Sequence, residues 1–469
     1  MNSKLKQKFN IGLKIKEALS KERWSWWGQR AHDALGLEYI MNLDFLVCCD
    51  WGEDIKQLWG EKVISIEHLS KIRTNYSNKD LNNFMKGTIK KEVLKRLSGG
   101  SNCIMYRSIK EGEKISRKNS KVKMYSAPYG LKEYFDNKIM FRNEIDKLEM
   151  KKIPGEIISA GKADYKDISN KWGKKFVLRC PVSSSGEKVY LIKNKKEYLY
   201  TINNAAEDIF ILEKYLKGYS VNINAVVGEE DVYMSPVSVQ LIGINSITNG
   251  DFSFGGNDFS SASEIPIKIK TKIFKYTEKI GLWMKNKGFK GMMGIDYIIY
   301  DSDVFPVEIN PRFQNSTSLL NILQIEKEEV PLVYRHICEF KNKYRKFKYN
   351  NNFYDLSGSQ IILHNLENKS IKIKESMKFG VYELDKGKIK YKRRGYSSVD
   401  LKHNNEFCIC GGVPQKGILV RPGAPLIKIH FKKAVLDSKN LINIKSKIEL
   451  IVKNIYNKIT KNDYDSKKS

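Results

Sequence analysis

The sequence predicts a mixed protein of α/β and α+β type, organised in two or three domains. Three observations lead to this prediction. A chain of 469 residues exceeds the usual size of a single domain. Its 41% hydrophobic and 11% aromatic residues are ordinary for a protein with a folded core. Short apolar strands and helical stretches alternate early in the chain, whereas strands follow one another directly farther along.

The order of these stretches predicts four regions. Residues 1–135 mix short strands with helices, which is typical of a small α/β domain. Residues 136–345 contain a run of strands, one long helical stretch and a final pair of strands. Residues 346–460 form a strand-rich region that ends in a helix, and residues 461–469 are a polar tail.

Charge and cysteine content exclude several classes of protein. A formal net charge of +30 would normally indicate a nucleic-acid partner. Because the lysines are spread along the whole chain, we expect the charge to reflect residue usage and do not expect nucleic acid. The seven cysteines contain no C-x-x-C pair, which argues against a disulfide framework and a structural zinc site. No run of the sequence approaches the ~20 apolar residues that a membrane span needs, and the first residues lack the apolar region of a signal peptide. The protein is therefore expected to be cytoplasmic, with no membrane partner.

The segment PVEINPRFQNS, residues 306–316, places Glu308, Asn310 and Arg312 at every second position. In an extended chain these three side chains lie in one row on one face. A polar strand face in water would explain that row, and so would a bound ligand.

The segments MMGIDYIIY and VFPVEIN predict a β-hairpin whose three-residue loop is DSD, residues 301–303. Centring the pairing on that loop places Tyr300 opposite Val304 and Asp296 opposite Glu308. Directly opposed residues point to the same face, so two carboxylates face each other. Like charges in this position are destabilising unless one is protonated or a cation lies between them.

Asn310 adds a neutral oxygen to the same row. Oxygen ligands suit a hard cation, and Mg²⁺ usually takes only one or two protein carboxylates. Arg312 extends the row with a planar group that matches a carboxylate or a phosphate. The coincidence of register, acidic pair, amide and arginine favours a metal–phosphate site over a solvated face.

A loop of small residues joins two apolar strands in KKFVLRCPVSSSGEKVYLIKN. The loop contains Ser183, Ser184, Ser185 and Gly186, and Arg179 comes shortly before it. Without bulky side chains, the loop could place backbone N–H groups along a polyphosphate. An ordinary hairpin turn is the alternative.

In their order, these segments resemble the ATP-grasp superfamily, whose members include biotin carboxylase and D-alanine:D-alanine ligase. The resemblance covers roughly residues 130–325 and depends most on the E-x-N-P-R element with an acidic residue twelve positions upstream. It implies the ATP-grasp fold. Residues 1–135 would be the N-terminal pre-ATP-grasp α/β domain, residues 136–345 two lobes gripping the nucleotide, and residues 346–460 a β-rich C-terminal subdomain.

The resemblance also implies roles for single residues. Lys138 and Arg179 match bases that contact phosphate, although Arg179 stands where the family usually has lysine. The Ser183–Gly186 loop matches the flexible phosphate loop. The hinge strand that receives adenine matches Glu213, Lys214, Tyr215 and Leu216. The Mg²⁺ ligands match Asp296, Glu308 and Asn310, with Mn²⁺ as an alternative ion. Arg312 matches the residue beside the transferred phosphoryl group, so Arg179 and Arg312 are the expected catalytic residues.

The implied reaction is ATP-dependent joining of a carboxylate and an amine through an acyl phosphate, with release of ADP and phosphate. The substrates are expected to be small molecules, or forms linked to a carrier protein or a peptide. Residues 346–460 would complete the acceptor pocket or form a homodimer contact. Two alternatives stay open, a carboxylase acting on a separate carrier and a non-catalytic nucleotide-binding protein. The Gly-rich segment 246–263 is either a lid over the acceptor, with Gly255 and Gly256 supplying flexibility, or an ordinary surface loop.

Overall fold

The computed structural model describes residues 9–74, 78–87, 89–160, 163–182, 188–205, 207–341 and 347–460. The predicted tail at 461–469 and residues 342–346 of the Lys-rich segment KNKYRKFKY lie outside these ranges. Among the described residues, no helix combines the length and the apolar character needed to cross a membrane.

The first part of the chain forms a five-stranded parallel sheet with the order β3-β2-β1-β5-β6. The strands of this part are β1 (Trp24–Trp27), β2 (Leu43–Cys48), β3 (Val63–Ser65), β4 (Ile72–Arg73), β5 (Ser101–Met105) and β6 (Val122–Tyr125). Its helices are α1 (Asn10–Leu19), α2 (Glu53–Trp59), α3 (Ile66–Ser70), α4 (Asn78–Phe84), α5 (Ile89–Leu97), α6 (Lys110–Lys118) and α7 (Tyr129–Asp136). All four residues of β1 are buried, which explains why tryptophans point to both faces of this strand without apolar–polar alternation.

A second, four-stranded antiparallel sheet follows, with the order β7-β10-β8-β9. Its strands are β7 (Gly155–Ser159), β8 (Phe176–Arg179), β9 (Val189–Ile192) and β10 (Ile209–Lys214). The helices of this part are α8 (Lys138–Glu144), α9 (Tyr165–Trp172) and α10 (Lys195–Asn204). Phe176, Leu178, Phe210 and Leu212 form the centre of its apolar core.

The remaining strands build one large antiparallel sheet with the order β16-β15-β11-β13-β14-β17-β23-β21-β19-β20, and β12 pairs with β11 at its side. A small sheet joins β18, β22 and β4. The strands are β11 (Tyr219–Val227), β12 (Val232–Met234), β13 (Ser238–Ile242), β14 (Phe254–Asp258), β15 (Gly291–Tyr300), β16 (Asp303–Asn310), β17 (Ser359–His364), β18 (Ile371–Lys372), β19 (Gly380–Asp385), β20 (Lys388–Arg393), β21 (Glu406–Gly411), β22 (Leu419–Val420) and β23 (Pro425–Phe431). The helices are α11 (Ile267–Asn286), α12 (Thr317–Glu326), α13 (Leu332–Phe340) and α14 (Ser446–Thr460). Short 3₁₀ helices cover Ala31–Ala34, Leu37–Tyr39, Gly60–Lys62, Ser260–Glu264 and Ser398–Asp400.

The strand-rich C-terminal region continues the large sheet instead of forming a sheet of its own. Strand β14 pairs with β17, so hydrogen bonds cross the boundary predicted at residue 345. The limits of the four predicted regions stay a prediction, but the sheet links the second and third of them.

The Gly-rich segment 246–263 differs from the expected lid or surface loop. Its central residues form β14, between β13 and β17. Gly256 has φ +141°, and a Cβ atom there would lie 2.1 Å from the backbone oxygen of Gln360. The glycine therefore permits close approach of two strands, and the prediction that it supplies flexibility is wrong.

Candidate active site

The described members of the predicted site meet in one cleft between the second sheet and the large sheet. The cleft is lined by Arg179, Glu213, Lys214, Tyr215, Leu216, Asp296, Glu308, Asn310 and Arg312. Lys138 reaches the cleft through an ion pair, with its Nζ 3.0 Å from Oε2 of Glu308. Ser183, Ser184, Ser185 and Gly186 lie outside the described residues.

The turn of the β15–β16 hairpin is shorter than predicted. Tyr300 pairs with Asp303, so the prediction that it lies opposite Val304 is wrong. Asp301 and Ser302 alone form the turn, and both have positive φ angles, 50° and 56°. Positive φ at both central residues is the geometry of a type I′ turn, whose twist matches the twist of the two strands.

A β-bulge nevertheless places Asp296 opposite Glu308, as predicted. The pairing shifts by one residue after Pro306, which leaves Val307 as the extra residue of β16. A bulge re-aims the side chains that follow it. The shorter turn and the bulge offset each other, and the two carboxylates face each other at the end of the hairpin.

The two carboxylates differ in their surroundings. Asp296 accepts hydrogen bonds from amide groups, Gln240 at 3.1 Å, Asn310 at 3.1 Å and Gln314 at 3.3 Å. Burial, followed by the charge of Glu308, raises the pKa of Asp296. Burial alone would also raise the pKa of Glu308, but the charges of nearby Lys and Arg side chains outweigh it and lower that pKa. Without a cation between them, Asp296 therefore holds the proton and Glu308 the negative charge.

The donor set suits a hard divalent cation. Asn310 directs its amide nitrogen toward both carboxylates, 3.1 Å from Asp296 and 3.5 Å from Glu308. Its oxygen accepts a 2.7 Å hydrogen bond from Arg312. Rotation of the amide would present that oxygen to a cation beside two carboxylates, a ligand number that fits Mg²⁺. No larger group of His, Cys, Asp or Glu able to hold a metal occurs within the described ranges.

Arg142, which sequence analysis did not identify, joins Arg179 and Glu213 in an Arg–Glu–Arg triad. One Nη of each arginine contacts a different oxygen of Glu213, at 2.9 Å for Arg179. The second Nη of Arg179 donates to the carbonyl oxygen of Val307, also at 2.9 Å. Glu213, predicted to border adenine, thus holds Arg179 at the bulge. Arg142 lies one helical turn after Lys138 on α8, a spacing that could have identified it.

Aliphatic side chains line one side of the cleft. This aliphatic slot consists of Ile153, Val177, Leu216, Ile298 and Val307. It lies next to the backbone of residues 214–216, where polar edge atoms of a flat ring could be bound. An apolar slot with a few backbone polar groups is typical of a site for a planar heterocycle.

Neutral amides line the other side of the cleft. This amide row consists of Asn222, Gln240, Asn257 and Gln314, which line the cleft, and of Gln360, which donates to Asn257 at 3.4 Å. Asn222 is directly opposite Asp296, Gln240 opposite Asn257, and Asn257 opposite Gln360. Since opposed residues point to the same face, the row runs from the carboxylates across the large sheet. Single polar residues within apolar strands, as in YSVNINAVV and VSVQLIG, were its visible trace in the sequence.

Comparison with known proteins identifies the central part of the chain. Residues 135–316 match the family of ATP-grasp domains. A carbamoyl phosphate synthase large chain from Clostridium botulinum is 25% identical over 199 residues, 41% of this chain and 17% of that protein. The butirosin acyl-carrier protein L-glutamate ligase of Niallia circulans is 23% identical over 189 residues, 38% of this chain and 42% of that protein. The chain thus spans less than half the length of either relative.

The fold extends this likeness over most of the molecule. The structure of biotin carboxylase from Campylobacter jejuni in complex with βγ-ATP superposes with a TM-score of 0.58 and 12% identity, covering 87% of this chain and 88% of that one. At such low identity the likeness concerns the fold, and the matched domain adds the family. Residues 135–316 are therefore identified as an ATP-grasp domain.

Proposed function

We propose that the protein is an ATP-dependent carboxylate–amine ligase that forms an amide or peptide bond and releases ADP and phosphate. One observation carries the proposal. The opposed carboxylates Asp296 and Glu308 lie where the aliphatic slot meets the amide row. Arg312 follows Glu308 and Asn310 at the same two-residue spacing and also lines the cleft. A nucleotide on one side and an acid on the other would meet at these residues.

The nucleotide is proposed to lie with its adenine in the aliphatic slot and its edge atoms at the backbone of residues 214–216. Lys138 and Arg179 then contact the phosphates. The Arg–Glu–Arg triad keeps the Arg179 guanidinium in place before the nucleotide arrives, which lowers the cost of ordering it.

The chemistry requires positioning and neutralisation of charge. A carboxylate oxygen of the acid attacks the γ-phosphorus of ATP, the bond from that phosphorus to the β,γ-bridging oxygen breaks, and ADP leaves. The amine nitrogen then attacks the acyl carbon, loses a proton, and phosphate departs with the carbon–oxygen bond electrons. Mg²⁺, when bound by Asp296, Glu308 and Asn310, neutralises phosphate charge. Arg312 contributes positive charge beside the transferred phosphoryl group. The reaction needs no nucleophile from the protein.

The relative from Niallia circulans supports ligation, since it is named as an acyl-carrier protein L-glutamate ligase. Its name also makes a carrier-linked acid a reasonable substrate to include. Bicarbonate is also included among the acids to be tested, because a carboxylase would phosphorylate bicarbonate in the place of the acid substrate.

The decisive experiment measures ADP and phosphate release with ATP and Mg²⁺, or Mn²⁺, across a panel of acids, each with and without amines. Mass spectrometry then identifies any product. Acid-dependent ADP release with a new amide mass supports the ligase. Turnover with bicarbonate alone supports the carboxylase instead. ATP binding without turnover for every free, peptide and carrier-linked acid would contradict the proposal and favour a nucleotide-binding protein.

A further inference from the structure

Two arginines follow neighbouring strands of the parallel sheet, at the edge where Tyr106 contacts Arg312 of the cleft. Arg30 comes three residues after the end of β1, and Arg107 two residues after the end of β5. Strands β1 and β5 pair in parallel, with Trp27 opposite Met105. Both arginines therefore start from the same edge of the sheet, where loops of parallel strands meet.

Arg312 extends toward these residues from the hairpin side. Its Nη1 lies 3.3 Å from the hydroxyl of Tyr106, the residue before Arg107. Tyr106 in turn donates to Oδ1 of Asn315 at 3.3 Å, and Gln360 of the amide row donates to the backbone oxygen of Asn315 at 2.8 Å. These contacts place Arg312 and the loop after β5 over the amide row.

Arg30, Arg107 and Arg312, the arginine cluster, contain buried nitrogen atoms without an acceptor. Arg30 Nη1, Arg107 Nε and Arg312 Nε have no hydrogen-bond partner in the part of the chain that the structure describes. Burial and the neighbouring charge of Arg312 lower the pKa of Arg107 to about 10. Like charges held together with unpaired donors are unfavourable until an anion binds.

Other unpartnered polar atoms lie around the same space. Ser246 Oγ, Gln360 Oε1 and His364 Nδ1 are buried and lack a partner among the described residues. Gln360 and His364 lie on one face of β17, four residues apart. Burial and the charge of Arg30 lower the pKa of His364 to about 4, so Arg30 lies close to this strand.

The acidic residues near Arg30 are already engaged elsewhere. Asp33 contacts the buried Lys428, at 3.2 Å. Asp50 lies 3.2 Å from His32 and accepts a 2.7 Å hydrogen bond from the backbone of Ala31. Asp136 and Glu308, whose charges act on Arg107, contact Lys132 at 2.5 Å and Lys138 at 3.0 Å. Each of these four carboxylates thus has a partner outside the arginine cluster.

We infer that the acid substrate carries a second anionic group, a carboxylate or a phosphate, which Arg30 and Arg107 bind while its reacting carboxylate lies beside Arg312. Guanidinium groups match planar carboxylates and phosphate oxygens with paired N–H donors. The uncharged amide row between them fits the body of such a molecule. The inference rests on the proposed function, since that function places the reacting carboxylate at Arg312.

The test measures binding, so that it does not depend on turnover. The full-length protein is saturated with Mg²⁺ and a non-hydrolysable ATP analogue and titrated calorimetrically with succinate, glutarate and adipate, each compared with its half-amide. The phosphonates 3-phosphonopropionate and 4-phosphonobutyrate distinguish a phosphate from a carboxylate as the second anion. We expect at least one dianion to bind about tenfold more tightly than its matched monoanion.

Arg30→Gln and Arg107→Gln should each reduce that preference toward equal binding, with the affinity for the half-amide little changed. Arg117→Gln is the matched control, because Arg117 lies on α6 with its side chain 80% exposed. A structural role alone would weaken dianion and half-amide equally. Equal binding of all pairs, a preference that survives both substitutions, or no binding of any dianion to nucleotide-loaded protein would overturn the inference.

The two proposals fail differently. ADP release that depends on acids but does not distinguish acids from their half-amides keeps the ligase and overturns this inference. Dianion binding that depends on Arg30 without ADP release from any acid and amine supports this inference and contradicts the ligase.

Discussion

The two ends of the cleft, at which we propose that the nucleotide and the acid bind, differ in how the protein pairs its own charges. At the nucleotide end, Lys138 contacts Glu308, and the Arg–Glu–Arg triad uses both oxygens of one carboxylate. At the acid end, the arginine cluster keeps buried N–H groups without an acceptor in the described structure. Each cation of the first set has a carboxylate partner within the fold, whereas we propose that the second set gains its partner from a ligand.

This difference separates residues that hold the cleft together from residues that recognise the acid. Removing one member of a neutralised buried set leaves an unpaired charge, which is strongly destabilising. Removing a cation that has no partner relieves a cost, so it should raise stability while weakening the binding of the acid. Substitutions at the two ends are therefore expected to change stability in opposite directions.

The largest expected effect is on catalysis at the nucleotide end. Glu308→Gln removes the charged ligand opposite Asp296 and should lower the rate of ADP release by more than about 1000-fold. Asp301→Asn, at the exposed turn of the same hairpin, is the matched control and should leave the rate unchanged. A near-normal rate for Glu308→Gln would contradict the assignment of these carboxylates to a metal ion.

The triad should respond mainly in stability. Glu213→Ala leaves two buried guanidinium groups unpaired and should lower the free energy of unfolding by about 3–5 kcal/mol, measured by urea denaturation. Glu156→Ala breaks an ion pair with Lys171 whose side chains are 43% and 57% exposed, and should cost about 0–1 kcal/mol. If both variants lose the same amount, the triad is not the stabilising element proposed here.

Sequence analysis predicted the nucleotide end better than the acid end, for a physical reason. The hairpin ligands, the hinge strand and the bases on α8 and β8 lie in short local patterns, and strand periodicity determines their faces. Even there, the opposition of Asp296 and Glu308 depended on the bulge at Val307, which no local pattern showed. The predicted register was correct at the carboxylates and wrong at the turn.

The acid end could not be predicted because its residues converge only through strand order. Asn222 and Gln360 are 138 positions apart and meet in one row because β14 pairs with β17. Arg30 and Arg107 belong to a different sheet, and their neighbourhood depends on the parallel pairing of β1 and β5. The glycines of segment 246–263 were interpreted as flexible, although close strand approach requires one of them.

A histidine between the parallel sheet and the large sheet should make the stability of the protein depend on pH. His336 is buried, accepts a hydrogen bond from the backbone of Met292, and lies 3.1 Å from the carbonyl oxygen of Tyr125. Burial lowers its pKa to about 4, from 6.5 in the unfolded chain. The unfolded state therefore binds more protons below pH 6.5, and stability falls as the pH decreases toward 4. Between pH 6.5 and 5.0 this residue should contribute a loss of about 2 kcal/mol.

Urea denaturation at pH 7.5 and 5.0 measures this effect. His336→Gln should show a smaller difference between the two pH values than the unsubstituted protein. His403→Gln, at an exposed position, should retain the full difference. An unchanged pH dependence in His336→Gln would mean that other groups cause the loss of stability in acid.

The opposite sign is expected at the acid end. Arg30→Gln removes a partly buried cation without a neutralising partner and should raise the free energy of unfolding of the ligand-free protein by about 1 kcal/mol. Arg117→Gln should stay within about 0.5 kcal/mol of the unsubstituted protein. A loss of several kcal/mol in Arg30→Gln would place this arginine with the structural charges of the nucleotide end and remove the difference between the two ends.

The smallest effect concerns the turn of the hairpin that carries Asp296 and Glu308. Ser302→Gly places glycine at a positive φ of 56° and creates the Asp-Gly sequence that type I′ turns favour, so we expect a gain of about 0.5–1 kcal/mol. The Lys386–Gly387 turn between β19 and β20 already has glycine at the equivalent position, and Gly387→Ser should cost a similar amount. The rate of ADP release should not change in Ser302→Gly, because the bulge at Val307 lies between the turn and the carboxylates and determines their opposition. A changed rate would mean that the turn sets the register of the site.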